Sequence, residues 1–525
     1  MYDSLISFKN KSNLTYSVVM DIKEQIVKNS FWNIISSLVN RVGGFILIIL
    51  LSRILLPEGF GNYSLVMSVA LFFITFSDMG INQTLIRYIS LGIDKKKKES
   101  ASYFKYLLKI KLLITLSLSL ILLAIAYPIS HYIFKNPSLF SSILILSFYV
   151  FFTALTSFFE SLFFIKKYVR YISIKESFSL IIKLAAIILI GFFMSSEFNL
   201  IAIFLSFVVA SLVSFLFVFH FSQKTYPLLF KKNNLVLDKK GIFHFMLFLN
   251  LQNISVLVLS QASVILLGIF VQKEFIGYYQ AAWAIVIGVA SLLFSSFSYT
   301  LLPIFTKINE TEFSSLLKKT FKMFFIFALP ISFGLSTLSN YLIRVIYGYE
   351  YLPASTSLSI LAFLIIPIIS IDLALTSFSA KNKLKKFSTM MIISTFFFLL
   401  INLFFILSLS FSDQAVIIGV SIANLLSWSG CSFLSFYLLK KDLGVSVISP
   451  WIIKPLFSCL IMTGAILLLK NISKDINLIW GIGIILFSAL IYFISLFLLK
   501  GINKNEFNNL KALFRLKKET SQNLP

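Results

Sequence analysis

VGGFILIILLSRILLPEGFGNYSLVMSVALF, residues 42–72, consists of two long apolar runs on either side of a short polar segment. A bilayer core about 30 Å thick takes roughly 20 apolar residues in a helix, because lipid offers no hydrogen-bond partner to backbone N–H and C=O groups. The two runs belong to longer apolar segments at 31–55 and 62–88. We predict that each segment crosses a membrane and that the polar segment turns the chain back.

The whole chain is strongly apolar. Of its 525 residues, 58% are apolar and 13% are charged, and the mean hydropathy is +0.92, which excludes a large water-soluble domain. We therefore predict an all-α polytopic membrane protein with about fourteen transmembrane helices. The predicted spans lie near residues 31–55, 62–88, 105–127, 138–166, 171–194, 198–222, 242–271, 275–304, 318–347, 353–380, 386–410, 413–439, 451–470 and 476–500.

The charged residues lie mainly between the predicted spans. Lys and Arg total 46 against 21 Asp and Glu, but no basic domain exists, so we expect no nucleic-acid partner. Alternate connections are basic, which places them and both termini in the cytoplasm by the positive-inside rule. These basic connections contain Lys95 to Lys98, Lys166 to Arg170, Lys231 to Lys240, Lys318 and Lys319, Lys381 to Lys386, and Lys440 and Lys441.

The chain repeats itself at an offset of about 216 residues. Phe60-Gly61-Asn62-Tyr63, at the start of the second span, corresponds to Ile276-Gly277-Tyr278-Tyr279, at the start of the eighth. Two further matches occur at nearly the same offset, 161–171 with 377–387 and Ser141–Phe148 with Thr356–Phe363. The repeat predicts two six-helix lobes of parallel topology, an arrangement used for alternating access. A duplicated scaffold without transport is the alternative.

This repeat divides the chain into five parts. We predict a cytoplasmic leader at 1–30, an N-lobe of helices 1–6 at 31–222, a C-lobe of helices 7–12 at 242–440, an extra helix pair at 451–500 and a cytoplasmic tail at 501–525. The leader is polar, and no cleavable signal peptide is expected in it.

Several short motifs resemble those of a known family. Arg53-Ile54-Leu55-Leu56-Pro57-Glu58-Gly59-Phe60-Gly61-Asn62-Tyr63 is similar to the R-x-L-G-P-E-x-F-G-x-Y motif of polysaccharide exporters, with Leu56 where Gly is usual. Ser77 to Gln83 resembles the D-x-G segment of the family, and Leu85 to Tyr88 resembles the L-x-R-[YF] motif that follows it. Ile346 to Tyr351 resembles the F-G-x-x-Y turn, with Tyr347 in place of Phe.

The family is that of the O-antigen flippases (Wzx type) and related polysaccharide transporters of the multidrug/oligosaccharidyl-lipid/polysaccharide (MOP) exporter superfamily. The resemblance implies transfer of an undecaprenyl-pyrophosphate-linked O-antigen or capsule repeat unit from the cytoplasmic to the periplasmic leaflet of a bacterial inner membrane. It also implies polysaccharide polymerase and chain-length proteins as partners beside the membrane lipids. The identity of the sugar is not implied.

Cations inside the predicted spans are candidates for substrate binding. A charge at mid-membrane costs roughly 2.5–3.5 kcal/mol, so it is expected to face a cavity or a partner. Arg41 lies ten residues into the first span, about 15 Å deep, and Lys183 lies similarly deep in the fifth span. We predict that both bind the pyrophosphate or acidic sugars of the cargo. The alternative is an internal ion pair with Asp78 or Glu160.

Amide side chains in the seventh span form a second group. Asn250, Gln252, Asn253 and Gln261 occur there, and such side chains can hydrogen-bond sugar hydroxyls. Gln252 and Asn253 can equally join neighbouring helices. We assign only Gln261 to the substrate cavity.

Acidic residues in the spans are candidates for coupling transport to a proton or Na⁺. A carboxyl group responds both to burial and to a neighbouring cation, so its protonation can follow the position of the lobes. Asp78, Glu160 and Asp372 are the predicted coupling residues, with Asp78 as the preferred one. For Glu160, as for Glu176, an interfacial position beside a basic loop is the alternative.

Other functions are less compatible with the sequence. The chain has no G-x-x-x-x-G-K-[ST] motif, three histidines without metal-ligand spacing and no long translocated loop, so we expect neither an ATP-driven pump nor an enzyme nor a cofactor. A multidrug exporter of the same superfamily and a lipid II flippase remain alternatives. Two extra carboxy-terminal spans and Pro57-Glu58 favour glycan export over drug export.

Overall fold

A computed structural model describes residues 2–95, 97–165, 168–193, 199–230, 239–381, 383–447, 449–472 and 478–501. Within these ranges the chain is built from helices, with no strand, which confirms the predicted all-α membrane fold. Part of the predicted cytoplasmic tail, residues 502–525, lies outside the described residues, as do the side chains of Asn250 and Gln252.

The chain divides into two compact units, Met1–Gly277 and Tyr278–Pro525. The helices of the first unit are α1 (Tyr2–Asp78), α2 (Ile81–Lys95), α3 (Lys97–Pro128), α4 (Leu139–Ile165), α5 (Val169–Phe193), α6 (Asn199–Thr225), α7 (Lys239–Phe270) and the start of α8 (Lys273–Lys307). The second unit contains the rest of α8, α9 (Glu310–Thr337), α10 (Ser339–Ile346), α11 (Ala354–Leu361), α12 (Ile365–Ala380), α13 (Leu384–Ser408), α14 (Asp413–Leu443), α15 (Ile453–Ile472) and α16 (Leu478–Leu498).

Thirteen helical segments of the described chain are long and apolar enough to cross a membrane. One of them, Asn40–Ser90, has 51 residues, about 76 Å of helix at 1.5 Å per residue and far more than one crossing requires. It contains most of the first predicted span, 31–55, and all of the second, 62–88, so the thirteen segments account for the fourteen predicted spans. Side chains at the surface of these helices are apolar, as Phe192 and Phe193 show with exposures of 80% and 82%, and lipid is the environment they suit.

The chain reverses direction inside α1, at Leu56. This residue has φ 58° and ψ 175°, a region that a non-glycine residue occupies only with strain, and Pro57 disfavours a helical conformation for the residue before it. Residues before Leu56 pack along α5, because Gly43 lies against Leu180 and Gly191 against Ile54. After it, Asn62 contacts Asn136, which lies beyond the end of α3, and Ser77 contacts Lys111 within α3, so this part of α1 runs antiparallel to α3. The polar segment between the first two spans is therefore a turn between helices.

The second span itself contains a break, in its second half. α1 ends at Asp78 and α2 begins at Ile81, and the two residues between them, Met79 and Gly80, have φ values of 42° and 72°. The sequence predicts one continuous span over 62–88, so this break is a difference from the prediction. The D-x-G motif supplies its physical reason, since glycine adopts positive φ without a steric penalty.

The second unit is joined by buried hydrogen bonds between its helices. The Tyr492 hydroxyl in α16 donates to the Ile326 carbonyl oxygen in α9 at 2.8 Å, and Asn424 in α14 donates to the side chain of Asn402 in α13 at 3.4 Å. The predicted ninth span, 318–347, comprises α9 and the short α10, which meet at Leu338. The predicted tenth span, 353–380, comprises α11 and α12.

Candidate functional site

The break at Asp78 is stabilised by a buried lysine from a neighbouring helix. Ending a helix inside a membrane leaves carbonyl oxygens without intrahelical donors, and lipid supplies none. Lys111 of α3, with an exposure of 0%, donates from Nζ to the Ser77 carbonyl oxygen at 3.0 Å. The same Nζ lies 3.8 Å from Asp78 Oδ1, so the carboxylate and the carbonyl share one ammonium group.

Asp78 also caps the helix that follows the break. Its Oδ1 accepts a hydrogen bond from the Asn82 backbone N–H at 3.3 Å, in the first turn of α2, where negative charge is favoured by the helix dipole. The Asn82 side chain donates to Ser157 of α4 at 3.2 Å, and the Thr84 hydroxyl donates to the Gly80 carbonyl oxygen at 2.7 Å. The break is thus tied to α3 and α4 by side chains.

Lys111 was missed by the sequence analysis. Its signal was available, because it is a lysine inside the predicted span 105–127. It lies only a few turns from the basic cluster at Lys95 to Lys98, however, so the sequence alone does not distinguish it from the lysines of that cytoplasmic loop. The structure also corrects the partners suggested for Asp78 and Glu160. Asp78 pairs with Lys111, and Glu160 pairs with Lys175 at 2.5 Å.

Lys183 lies between aromatic rings. Its Nζ is 4.7 Å from the centre of the Phe207 ring in α6 and 5.7 Å from that of Tyr149 in α4. Tyr63, in the part of α1 after the turn, extends this group of rings, because it stacks on Phe204 at 5.6 Å and meets Phe207 edge-on at 6.1 Å. Within the described chain no carboxylate forms an ion pair with Lys183.

Arg41 lies in α1, which packs against α5, the helix that contains Lys183. It is half-buried, and its neighbour Asn40 donates to Glu176 Oε2 in α5 at 2.9 Å. Glu176 and Lys183 are separated by seven residues, which is about two helical turns or 10 Å. The two predicted cations therefore belong to one helix pair, at depths about two turns apart.

Gln261 forms a hydrogen bond between helices. Its Oε1 accepts from the Ser68 hydroxyl at 3.0 Å, which joins α7 to the part of α1 after the turn. Asn253, one of the predicted helix-joining amides, is half-buried.

Asp372 differs from the other two predicted coupling residues in having no cation beside it among the residues that the structure describes. It lies half-buried in α12, and its main-chain oxygen accepts from the Thr376 hydroxyl at 2.9 Å. Its carboxylate makes no hydrogen bond or ion pair with any residue that the structure describes. Nor do three His, Cys, Asp or Glu side chains meet anywhere in the described ranges to form a metal site.

The two glycines matched by the sequence repeat pack against each other's helix. A Cβ on Gly61 would lie 1.8 Å from the Lys273 carbonyl oxygen, and a Cβ on Gly277 would lie 2.0 Å from that of Pro57. Both pairs of equivalent residues, Gly61 with Gly277 and Pro57 with Lys273, are 216 residues apart. The contact between α1 and α8 is therefore reciprocal. Gly61 packs on the carbonyl of Lys273, Gly277 packs on the carbonyl of Pro57, and the repeat matches Gly61 to Gly277 and Pro57 to Lys273.

Comparisons with known proteins add to this geometry. A family model described as "Polysaccharide biosynthesis protein" matches residues 26–309, more than half of the chain. No curated protein sequence matches.

Several solved structures share the fold. A lipid II flippase MurJ in an inward closed conformation is 18% identical, with a TM-score of 0.71 over 88% of this chain and 97% of that one. An inward-facing multidrug resistance MATE family transporter of the MOP superfamily is 12% identical, with a TM-score of 0.60 over 77% and 96%. A MOP superfamily transporter from Pyrococcus furiosus is 14% identical, with a TM-score of 0.53 over 80% and 96%.

Proposed function

The chain belongs to the polysaccharide biosynthesis protein family, and on that premise we propose that it is a flippase for lipid-linked glycans. Its cargo is an undecaprenyl-pyrophosphate-linked repeat unit of O-antigen or capsule. The chain moves this cargo from the cytoplasmic to the periplasmic leaflet of the bacterial inner membrane by alternating access. A fold shared with MOP transporters supports transport, and the family supports a glycan cargo.

The observation that carries the proposal is the charge of Lys183. A cation deep in a span costs roughly 2.5–3.5 kcal/mol, and each cation–π contact with a ring contributes about 0.5–2 kcal/mol. The rings of Phe207 and Tyr149 offset some of this cost but carry no net charge, and no described carboxylate pairs with Lys183 to supply a negative charge. An anionic group on the cargo, the pyrophosphate or an acidic sugar, would supply it.

Arg41 and the aromatic group around Tyr63 extend this site. A guanidinium group binds phosphate through two parallel hydrogen bonds, and Arg41 lies about two turns from Lys183 along the same helix pair. In the proposed site the two cations hold successive parts of an extended anionic head group. Gln261, bonded to Ser68 at 3.0 Å, offers its amide N–H groups to sugar hydroxyls.

We propose that a proton or Na⁺ couples to transport through an acid of the spans. Asp78 and Glu160 each have a lysine partner, whereas Asp372 has no described cation beside it. A carboxylate buried in a membrane without a cation is stabilised when an ion supplies the missing positive charge. Asp372 is therefore the preferred coupling residue, and Asp78 and Glu160 are the alternatives.

A lipid II flippase is the second candidate function. It is supported by the structural similarity to MurJ over 88% of this chain and by the same cationic site, since that cargo is also lipid-linked and anionic.

Deletion of the gene in its native host tests the proposal. We expect surface polysaccharide to disappear and the lipid-linked intermediate to accumulate in the cytoplasmic leaflet, with both restored by the intact gene. Unchanged surface polysaccharide would contradict the proposal. Lysis with accumulation of lipid II would indicate the second function, and drug sensitivity alone would indicate a multidrug exporter. Retrieval of a polymerase or a chain-length protein with the tagged chain would test the proposed partners.

A further inference from the structure

A small basic cavity lies in the second unit, and none of its lining residues belongs to the site described above. It has a volume of about 250 Å³ and is lined by Lys318, Lys319, Lys322, Ser446, Val447, Ser449 and Trp451. The lysines lie in the first half of α9, and the other residues belong to the connection between α14 and α15. No carboxylate lines the cavity.

The three lysines repel one another in this arrangement. Lys318 and Lys322 are four residues apart and Lys319 and Lys322 three apart, and like charges at these spacings destabilise a helix by about 0.2–0.5 kcal/mol per pair. Lys318 and Lys319 form no ion pair with a described residue. A bound anion would remove this repulsion, and phosphate oxygens are suitable acceptors for ammonium groups.

Hydroxyl groups complete the polar lining. Ser449 precedes the short turn Pro450–Ile452 and is exposed. Its side chain makes no capping hydrogen bond, so the hydroxyl is available to donate to an anion in the cavity.

The cavity lies at the basic end of the helices. At this end Lys383, just before α13, and Lys386, in the first turn of α13, bond to Asp442 at the end of α14, with distances of 2.7 and 2.5 Å. Trp451 packs edge-on against Phe325 at 6.0 Å, and tryptophan is enriched where a membrane meets water. The positive-inside rule assigns this end to the cytoplasm, whose leaflet carries the anionic lipids.

An apolar helix face begins directly beside the cavity. Ile453 and Phe457 are one turn apart in α15 and are 66% and 54% exposed. A lipid whose phosphate lay among the lysines could place its acyl chains along this face. A free phosphate ion would make no use of it.

We infer that the cavity binds the phosphate of an anionic phospholipid from the cytoplasmic leaflet. The cavity shares no lining residue with the proposed cargo site, and its existence does not depend on which substrate the chain transports.

Lipid counting on the purified full chain tests the inference. Delipidated protein is mixed with phosphatidylglycerol or with phosphatidylcholine, and bound lipids are counted by native mass spectrometry. The test variant is the triple substitution Lys318→Gln, Lys319→Gln and Lys322→Gln. The control, with the same loss of charge, is Lys385→Gln, Lys440→Gln and Lys441→Gln, three exposed lysines at the same end of the helices.

We expect the parent and the control to bind one phosphatidylglycerol that the test variant lacks or binds about tenfold or more weakly, since each lysine near an anionic surface contributes to lipid binding. The inference is overturned if the test variant binds like the parent, if both variants lose binding equally, or if phosphatidylcholine binds as well. Full displacement of the lipid by millimolar inorganic phosphate would also overturn it, because the site would then be one for free phosphate. Equal melting temperatures of the three proteins show that folding is unchanged.

Discussion

The buried Lys111 and the half-buried Asp78 form an ion pair at the point where the second transmembrane span is broken, with 3.8 Å between Nζ and Oδ1. The Lys111 ammonium group also satisfies the Ser77 carbonyl oxygen. Removing one member of a buried pair leaves an uncompensated charge and costs about 3–5 kcal/mol.

We therefore expect Lys111→Met to lower the melting temperature of the purified protein strongly. Asp78→Asn should cost less, because asparagine still caps α2, and the double variant should be more stable than Lys111→Met alone. Thermal unfolding followed by tryptophan fluorescence measures all three. Lys111→Met melting at the parent temperature would show that the pair has no stabilising role.

Lys183 should be required for export and not for folding. Lys183→Gln removes the positive charge from between Phe207 and Tyr149, and we expect export of polysaccharide to fall by about tenfold, the effect of one lost charged contact of about 1.4 kcal/mol. Lys183→Arg should retain most of the export. The protein level in the membrane is the control, together with Lys224→Gln, which removes an exposed lysine at the end of α6. Full export by Lys183→Gln would remove this residue from the mechanism.

Asp372 should determine the dependence of transport on an ion gradient. Asp372→Asn carries no charge for a proton or Na⁺ to neutralise, so we expect transport in vesicles to lose its response to an imposed pH or Na⁺ gradient. Glu160→Gln, which breaks the contact with Lys175, is the matched comparison and should retain the response. If Asp78→Asn or Glu160→Gln loses the response and Asp372→Asn keeps it, the coupling residue is one of the paired acids.

Leu56 should be a destabilising residue in the turn of α1. Its positive φ costs about 1–3 kcal/mol for a side chain with a Cβ, and glycine avoids that cost. Leu56→Gly should therefore raise the free energy of unfolding by about 1 kcal/mol. Leu55→Gly, in the adjacent helical position, should lower it by a similar amount. Equal destabilisation by both substitutions would mean that Leu56 does not adopt this conformation.

Gly61 and Gly277 should not tolerate alanine. In each case the added methyl group would meet a backbone carbonyl oxygen, which cannot rotate away, and overpacking of this kind costs about 1–3 kcal/mol. Gly44→Ala is the control, because a Cβ at Gly44 would have no neighbour within 4 Å. Melting temperatures measured in detergent should fall for the first two variants only. A parent-like value for Gly61→Ala would indicate that the helices are further apart.

The spans and the turn at Leu56 could be predicted from the sequence, because membrane burial acts on the apolar length of a segment and requires little tertiary information. The break at Met79 and Gly80 could not, although its motif was noticed, since apolar residues continue on both sides of it. Lys111 was not recognised because a single lysine near a basic loop has the same local pattern whether it faces water or a broken helix. The pairing of Asp78 depends on where α3 lies, which only the folded chain specifies.

The cargo residues are a different case. The sequence indicates Arg41 and Lys183 by their depth in the spans, and the structure adds that they lie on one helix pair and that Lys183 contacts two aromatic rings. The aromatic contacts could not be predicted, because the chain contains 59 Phe residues and nothing in the sequence distinguishes Phe207 from the others.

The contact of Gly61 with Lys273 and of Gly277 with Pro57 has the form of an isologous interface, in which residue i of one copy meets residue j of the other and j meets i. In a two-fold homodimer of a single repeat, one glycine position and one carbonyl position would form both contacts. A single mutation would then change both contacts at once. In the single chain, the two glycines are encoded at separate positions. A substitution at Gly61 therefore does not alter the residues of the contact between Gly277 and Pro57, and the converse also holds. Each half of the interface can therefore vary independently, which a symmetric dimer does not allow.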